Sequence, residues 1–284
     1  MNLIDKANDI ITNGNEKYPL IKSFAGENIK GYLQHFKIKG GSIATVGSSG
    51  DQAISALVAG AESVLICDTC PFTGAFADLK LAALQSLNRK DFIDFLSQQE
   101  NTQRGYGNDD FLSRKKFKKV SGALERINEN SYQFWDYLTL EHPQQDRLKI
   151  FRTDDPWLEE IQFNINYLRS NQSYEYARKT LSGTRVQFIW GNIQGRNLKG
   201  TYDTIFLSDV LLSSSPTERQ ETINNCKAQI VTGGKILVAY YKAREDYKTG
   251  LGIGEDVENS CTLIKNSRYS SKGKDYVLVY TKND

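Results

Sequence analysis

Polar and apolar positions along this chain follow two alternating rhythms. Short apolar runs bounded by glycine or polar clusters recur between longer segments with helical spacing. Residues 43–46 (IATV) and 63–67 (SVLIC) are nearly all apolar, which predicts strands buried on both faces. Residues 52–59, between them, have a helical pattern. Strand, turn, helix and strand in that order open a doubly wound parallel sheet. Three more strands are predicted at 186–190 (after Gly183), 202–207 and 235–241. Two late runs, 261–267 and 276–280, flank Ser270, Ser271 and Gly273, which predicts an antiparallel hairpin. The fold class expected is therefore α/β, a Rossmann-like, mostly parallel sheet in a single domain spanning 1–284.

The helical rhythm fills the rest. A lead over 1–40 holds helices near 2–11 and 23–36, interrupted at Tyr18-Pro19. Residues 74–100 are strongly helical, with Asp91 as a cap for a second short helix. The pattern changes after the loop at 105–110, with a basic run at 114–119 and aromatic residues Tyr132, Phe134, Trp135 and Tyr137. This stretch reads as part of a helical insertion over 74–150. An extended piece is expected at 148–151 and helices at 157–168 and 174–181. A further helix over 217–230 starts at Pro216 and ends at Gly233-Gly234.

Composition narrows the function. The 284 residues carry 36 Lys and Arg against 34 Asp and Glu, a net charge of +2. That balance gives no case for a nucleic-acid partner. No apolar run approaches the ~20 residues of a membrane helix, and the N-terminus lacks a signal-peptide core. The expected location is the cytoplasm. The four cysteines show no disulfide-framework spacing. Cys67 and Cys70 form a CxxC, but Cys67 falls inside an apolar strand, so burial is expected rather than metal or redox chemistry.

The candidate chemistry lies where the first two strands end. Gly47, Ser48, Ser49 and Gly50 form a turn from strand to helix, where a ligand can approach unpaired amides. Asp68 closes the second strand, where a carboxylate can accept from a ribose diol. NAD, FAD and S-adenosylmethionine (SAM) all suit such a pocket. A pyrophosphate wants G-x-G-x-x-G, whereas here Asp51 directly follows Gly47-x-x-Gly50. That carboxylate favours a cationic ligand, so SAM is the cofactor expected. Asn192 and Ile193, after the third strand, are candidates for the adenine edge. Ser208 and Asp209, after the fourth, are candidates for the acceptor side, with Asp209 as a proton acceptor. His35 and His142 read as surface or packing residues. The basic run reads as a solvated helix face, with contact to an anionic membrane surface as the alternative.

Residues 77–95 (ADLKLAALQSLNRKDFIDF) resemble the signature of the diacylglycerol aminocarboxypropyltransferases of betaine-lipid synthesis and their bacterial relatives. Residues 46–52, Asp68 and residues 163–193 match the same pattern, and the resemblance spans roughly 30–240. It implies a class I methyltransferase fold and transfer of the 3-amino-3-carboxypropyl arm of SAM. This chain is shorter than those enzymes, and Asp51-Gln52 stands where they resemble Cys-Asn, so the acceptor is open between a small molecule and a lipid headgroup. Methyl transfer and a non-catalytic nucleoside-binding module are the alternatives.

Overall fold

A computed structural model describes residues 2–14, 18–47, 49–98, 110–152, 156–182, 184, 186–193, 198–241, 253, 257, 259–267 and 274–283. In chain order the elements are α1 (Leu3–Asn13), α2 (Ile29–Leu33), β1 (Ser42–Val46), α3 (Asp51–Val58) and β2 (Ser63–Asp68). Then come α4 (Thr73–Ser86), α5 (Arg89–Leu96), α6 (Arg114–Ile127), α7 (Glu129–Glu141), α8 (Gln144–Arg147), α9 (Leu158–Asn164) and α10 (Asn171–Thr180). The chain closes with β3 (Gln187–Trp190), β4 (Tyr202–Phe206), α11 (Pro216–Gln229), β5 (Ile230–Tyr241), β6 (Cys261–Ser267) and β7 (Lys274–Thr281).

The strands form one seven-stranded sheet in the order β3-β2-β1-β4-β5-β7-β6. The first five are parallel, and β7 runs antiparallel between β5 and β6. This is the class I methyltransferase fold. Alternation along the strands divides the core. Ile43, Ile66, Phe206 and Leu237 face a large cluster under the lead and the helices between β2 and β3. Ala44, Leu65, Ile205 and Ile236 face a smaller cluster that includes Ile223 and Cys226 of α11. Apolar residues at every strand position follow from cover on both sides.

Local chemistry explains most helix starts. Asn2 and Ser113 accept from the backbone of their own first turns. Ser215 and Glu218 close a capping box with Pro216 at the first helical position. Asn88, not Asp91, caps α5: its side chain accepts from Asp91 N–H at 2.9 Å.

Four expectations are revised. Gly233-Gly234 does not end α11, which stops at Gln229; the pair lies within β5. Gly233 takes φ 75° there and donates to Lys282 O at 2.8 Å, beside a register shift against β4. The lead's second helix shrinks to five residues, with Asn28 capping it through Gly31 N–H. Residues 148–150 form a 3₁₀ turn, and only Phe151 makes a bridge, to Ile21. The helix expected over 157–168 divides into α9 and a 3₁₀ turn at Asn166–Leu168. The Ser270–Gly273 link, Gly183 and residues 105–109 lie outside the described residues. No helix among the described residues is long and apolar enough to cross a membrane.

The basic run is divided by its helix. Lys115, Lys118 and Lys119 are exposed, while Phe117 is buried and Lys116 turns inward to Asp110 at 3.0 Å. Phe134 and Trp135 are core residues, with Trp135 Nε1 donating to Ala75 O at 2.8 Å.

Candidate functional site

Strand order reverses between β1 and β4: the chain steps one way to β2 and β3, the other way to β5. In such sheets the carboxyl ends of the strands at the reversal flank a ligand crevice. The turn after β1, Asp68 at the end of β2 and Ser208 after β4 all lie at these ends.

Gly47 and Asp68 are in close contact. A Cβ on Gly47 would lie 2.5 Å from Asp68 Oδ2 and 2.3 Å from the Thr73 methyl, so only glycine lets the carboxylate rest there. Asp68 Oδ1 accepts from Cys70 N–H at 2.7 Å. Gly50 takes the left-handed conformation, φ 75°, as the residue before α3. Two amides of the turn are used internally: Gly50 N–H donates to Gly47 O at 3.0 Å, and Asp51 N–H to Ser49 Oγ at 3.2 Å. Ser48 lies outside the described residues.

Asp51 departs from its expected place beside a ligand cation. Its side chain is fully buried and its Oδ1 is 2.7 Å from Lys80 Nζ, itself fully buried. Tyr167 OH donates to the same oxygen at 2.6 Å, and Ala25 N–H to Oδ2 at 2.7 Å. Its charge is neutralised within the fold.

The adenine-edge candidates diverge. Gly191 N–H donates to Asp68 O at 2.9 Å, which fixes the exposed Asn192 beside the acid. Ile193 instead packs into the smaller apolar cluster. On the same rim, Lys6 Nζ sits 3.3 Å from the Trp190 ring centroid, and Trp190 Nε1 donates to Thr69 O at 3.0 Å.

Beyond β4, Ser208 has φ 56°, an uncommon conformation for a side-chain-bearing residue. Tyr240 N–H donates to its carbonyl at 3.0 Å. Its hydroxyl donates to Glu27 Oε1 and lies 3.4 Å from Asp209 Oδ1. Asp209 is exposed and precedes a 3₁₀ turn without capping it by its side chain.

Glu27 is the residue that sequence reading missed. Gln52 Nε2 donates to its Oε2 at 3.0 Å, and Tyr32 OH at 3.2 Å. Gln52 Oε1 in turn accepts from Thr45 Oγ1 of β1 at 2.6 Å. Burial, with the nearby Asp209 charge adding to it, raises the Glu27 carboxyl to about 7. No local motif marks this glutamate; the signal available was Gln52, a polar residue on a short helix of small apolar ones.

The two thiols of the CxxC are buried, which pushes Cys67 up to about 11 and Cys70 up to about 12. Neither is a thiolate at neutral pH. No metal-ligating group is found among the described residues. His35 is exposed, and His142 Nε2 pairs with Asn8 Oδ1 at 3.0 Å. A cavity of about 380 Å³ lined by Lys30, Phe36, Lys37, Lys39 and Asn166 lies beside residues that precede β1, away from this crevice.

No family model matches the chain, and no curated protein matches it. Solved structures do. N-methyltransferase NodS from Bradyrhizobium japonicum WM9, in complex with S-adenosyl-L-homocysteine, is 8% identical over the whole of both chains, with a TM-score of 0.41. Magnesium protoporphyrin IX methyltransferase ChlM from Synechocystis PCC 6803, with bound SAM, is 12% identical over 90% of this chain and 76% of that one, with a TM-score of 0.41. At these scores the fold assignment rests on the strand order and directions.

Proposed function

We propose that the protein is a SAM-dependent transferase. The observation that carries this reading is Asp68 resting against Gly47 beside the β1/β4 reversal, where an acid can take a ribose diol. The residues fit such a ligand in two ways: Gly47 leaves the Asp68 carboxylate its place at the strand tip, and a second, buried acid, Glu27, is bound to Ser208 after β4 and to Gln52 of α3. Asp68 would hold the ribose and Asn192 the adenine edge.

When bound, SAM supplies an electrophilic carbon on a cationic sulfur that leaves as a neutral thioether. The chain's task is then to orient an acceptor and take its proton. Exposure of Asp209, and the absence of a side-chain cap from it to the following 3₁₀ turn, support it in this role. The resemblance of residues 77–95 supports transfer of the 3-amino-3-carboxypropyl arm; methyl transfer needs only a different carbon facing the acceptor. The acceptor class is a small molecule or a lipid headgroup.

Product analysis after incubation with SAM and candidate acceptors tests the reading. 5′-Methylthioadenosine is expected for aminocarboxypropyl transfer, whereas S-adenosylhomocysteine identifies methyl transfer. Asp68→Ala should abolish SAM binding in calorimetry, and unchanged affinity would remove the ribose assignment.

A further inference from the structure

Glu27 and Asp51, both buried near the crevice, differ in their partners. Asp51 has Lys80 at 2.7 Å. Glu27, 9% exposed, is held by three neutral groups: the Ser208 hydroxyl, the Gln52 amide and the Tyr32 hydroxyl. The other charged or titratable groups acting on it are Asp209, Tyr240 and Lys22. Asp209 is a second acid, and Lys22 has the smallest of the effects on its proton affinity. No ion pair to Glu27 is found among the described residues. A buried ionised carboxylate needs a partner charge, or it takes up a proton.

The position of Glu27 says where that charge comes from. Through Gln52 and Thr45 it is fixed to the first turn of α3 and to β1; through Ser208 it is fixed to the tip of β4. It thus spans the strand reversal, the place where a class I fold opens its crevice. Ser208 keeps a left-handed backbone while donating to it.

We propose that Glu27 is the counter-charge in the crevice for a cationic group of the sulfonium cofactor, its sulfonium or its α-ammonium. This rests on the SAM-dependent reading above. It gives Glu27 the role that the sequence pattern suggests for Asp51. Binding drives a Glu27 proton into solvent, because the ligand cation replaces it.

Calorimetry with SAM, S-adenosylhomocysteine and 5′-methylthioadenosine, at neutral pH in two buffers of different ionisation enthalpy, tests this. Wild type is expected to release protons on binding SAM. Glu27→Gln should bind SAM about tenfold or more weakly, without proton release. It should bind 5′-methylthioadenosine, which has neither cationic group, as wild type does, which also shows that the variant is folded. Glu27→Asp keeps the charge and should retain proton release. Selective loss for SAM identifies the sulfonium; equal loss for SAM and S-adenosylhomocysteine identifies the ammonium. Unchanged SAM affinity and proton release in Glu27→Gln, or equal weakening of all three ligands, would overturn the inference while leaving the SAM reading intact. A wild-type protein that does not bind SAM overturns that reading, and this inference with it.

Discussion

A carboxyl group taken out of water without a paired cation holds its proton more tightly than it does in solvent, and the fold then responds to pH. Glu27 is raised from its ordinary 4.5 to about 7. Between these values the folded chain keeps a proton that the unfolded chain has released. Stability therefore falls as pH rises through this window, by up to about 3 kcal/mol for the ligand-free protein. Urea denaturation at about pH 5 and about pH 8 should show this loss in wild type and its removal in Glu27→Gln, with the variant the more stable at the higher pH. A stability difference between the two proteins that is the same at both values would contradict the assigned environment. Tyr32 is raised too, by burial first and by the Glu27 charge second, so it stays a neutral hydrogen-bond donor.

Contacts between elements depend on missing side chains as much as on present ones. α4 packs on β3 at Gly74, where an added Cβ would lie 2.5 Å from the Phe188 ring. Phe188 belongs to an edge strand that pairs with β2, so at this point the helix rests directly on the edge of the sheet. Gly74→Ala should destabilise the protein by about 1–3 kcal/mol in thermal or urea melts. An unchanged midpoint would mean that β3 shifts freely to make room. At this scale the sequence is legible where a rule is local. The apolar runs at 43–46 and 63–67, Pro216 after Ser215, and the alternation in the last two strands each predict their element. It is not legible where glycine has two uses. Gly233-Gly234 reads as a helix stop and is instead a bend inside β5, because pairing with β4 and with the Lys282 carbonyl carries the strand through it.

For the molecule as a whole, Asp51 is a junction. Its carboxylate joins the lead at Ala25, α4 at Lys80 and the 3₁₀ turn at Tyr167. Lys80 Nζ lies in turn 4.6 Å from the Phe24 ring centroid, so one buried charge pair ties the lead to the helices between β2 and β3. Asp51→Asn removes the carboxylate and leaves that ammonium buried. The expected loss is roughly 3–5 kcal/mol in urea denaturation, and a loss below about 1 kcal/mol would show that the pair is not what holds these parts together.

The sequence by itself determined the strand–turn–helix–strand opening, the parallel sheet with its antiparallel end and the placement of Gly47 and Asp68 at neighbouring strand tips. These follow from periodicity and turn chemistry, which act over a few residues. Only the tertiary structure decided which acid is paired with a cation inside the fold. Asp51 and Glu27 are 24 positions apart in the chain, and nothing local ranks them. Their roles separate because Lys80 and Tyr167 fold onto one, while Ser208 and Gln52 fold onto the other. A charge's meaning is set by its neighbours in space, and those come from segments far away along the chain.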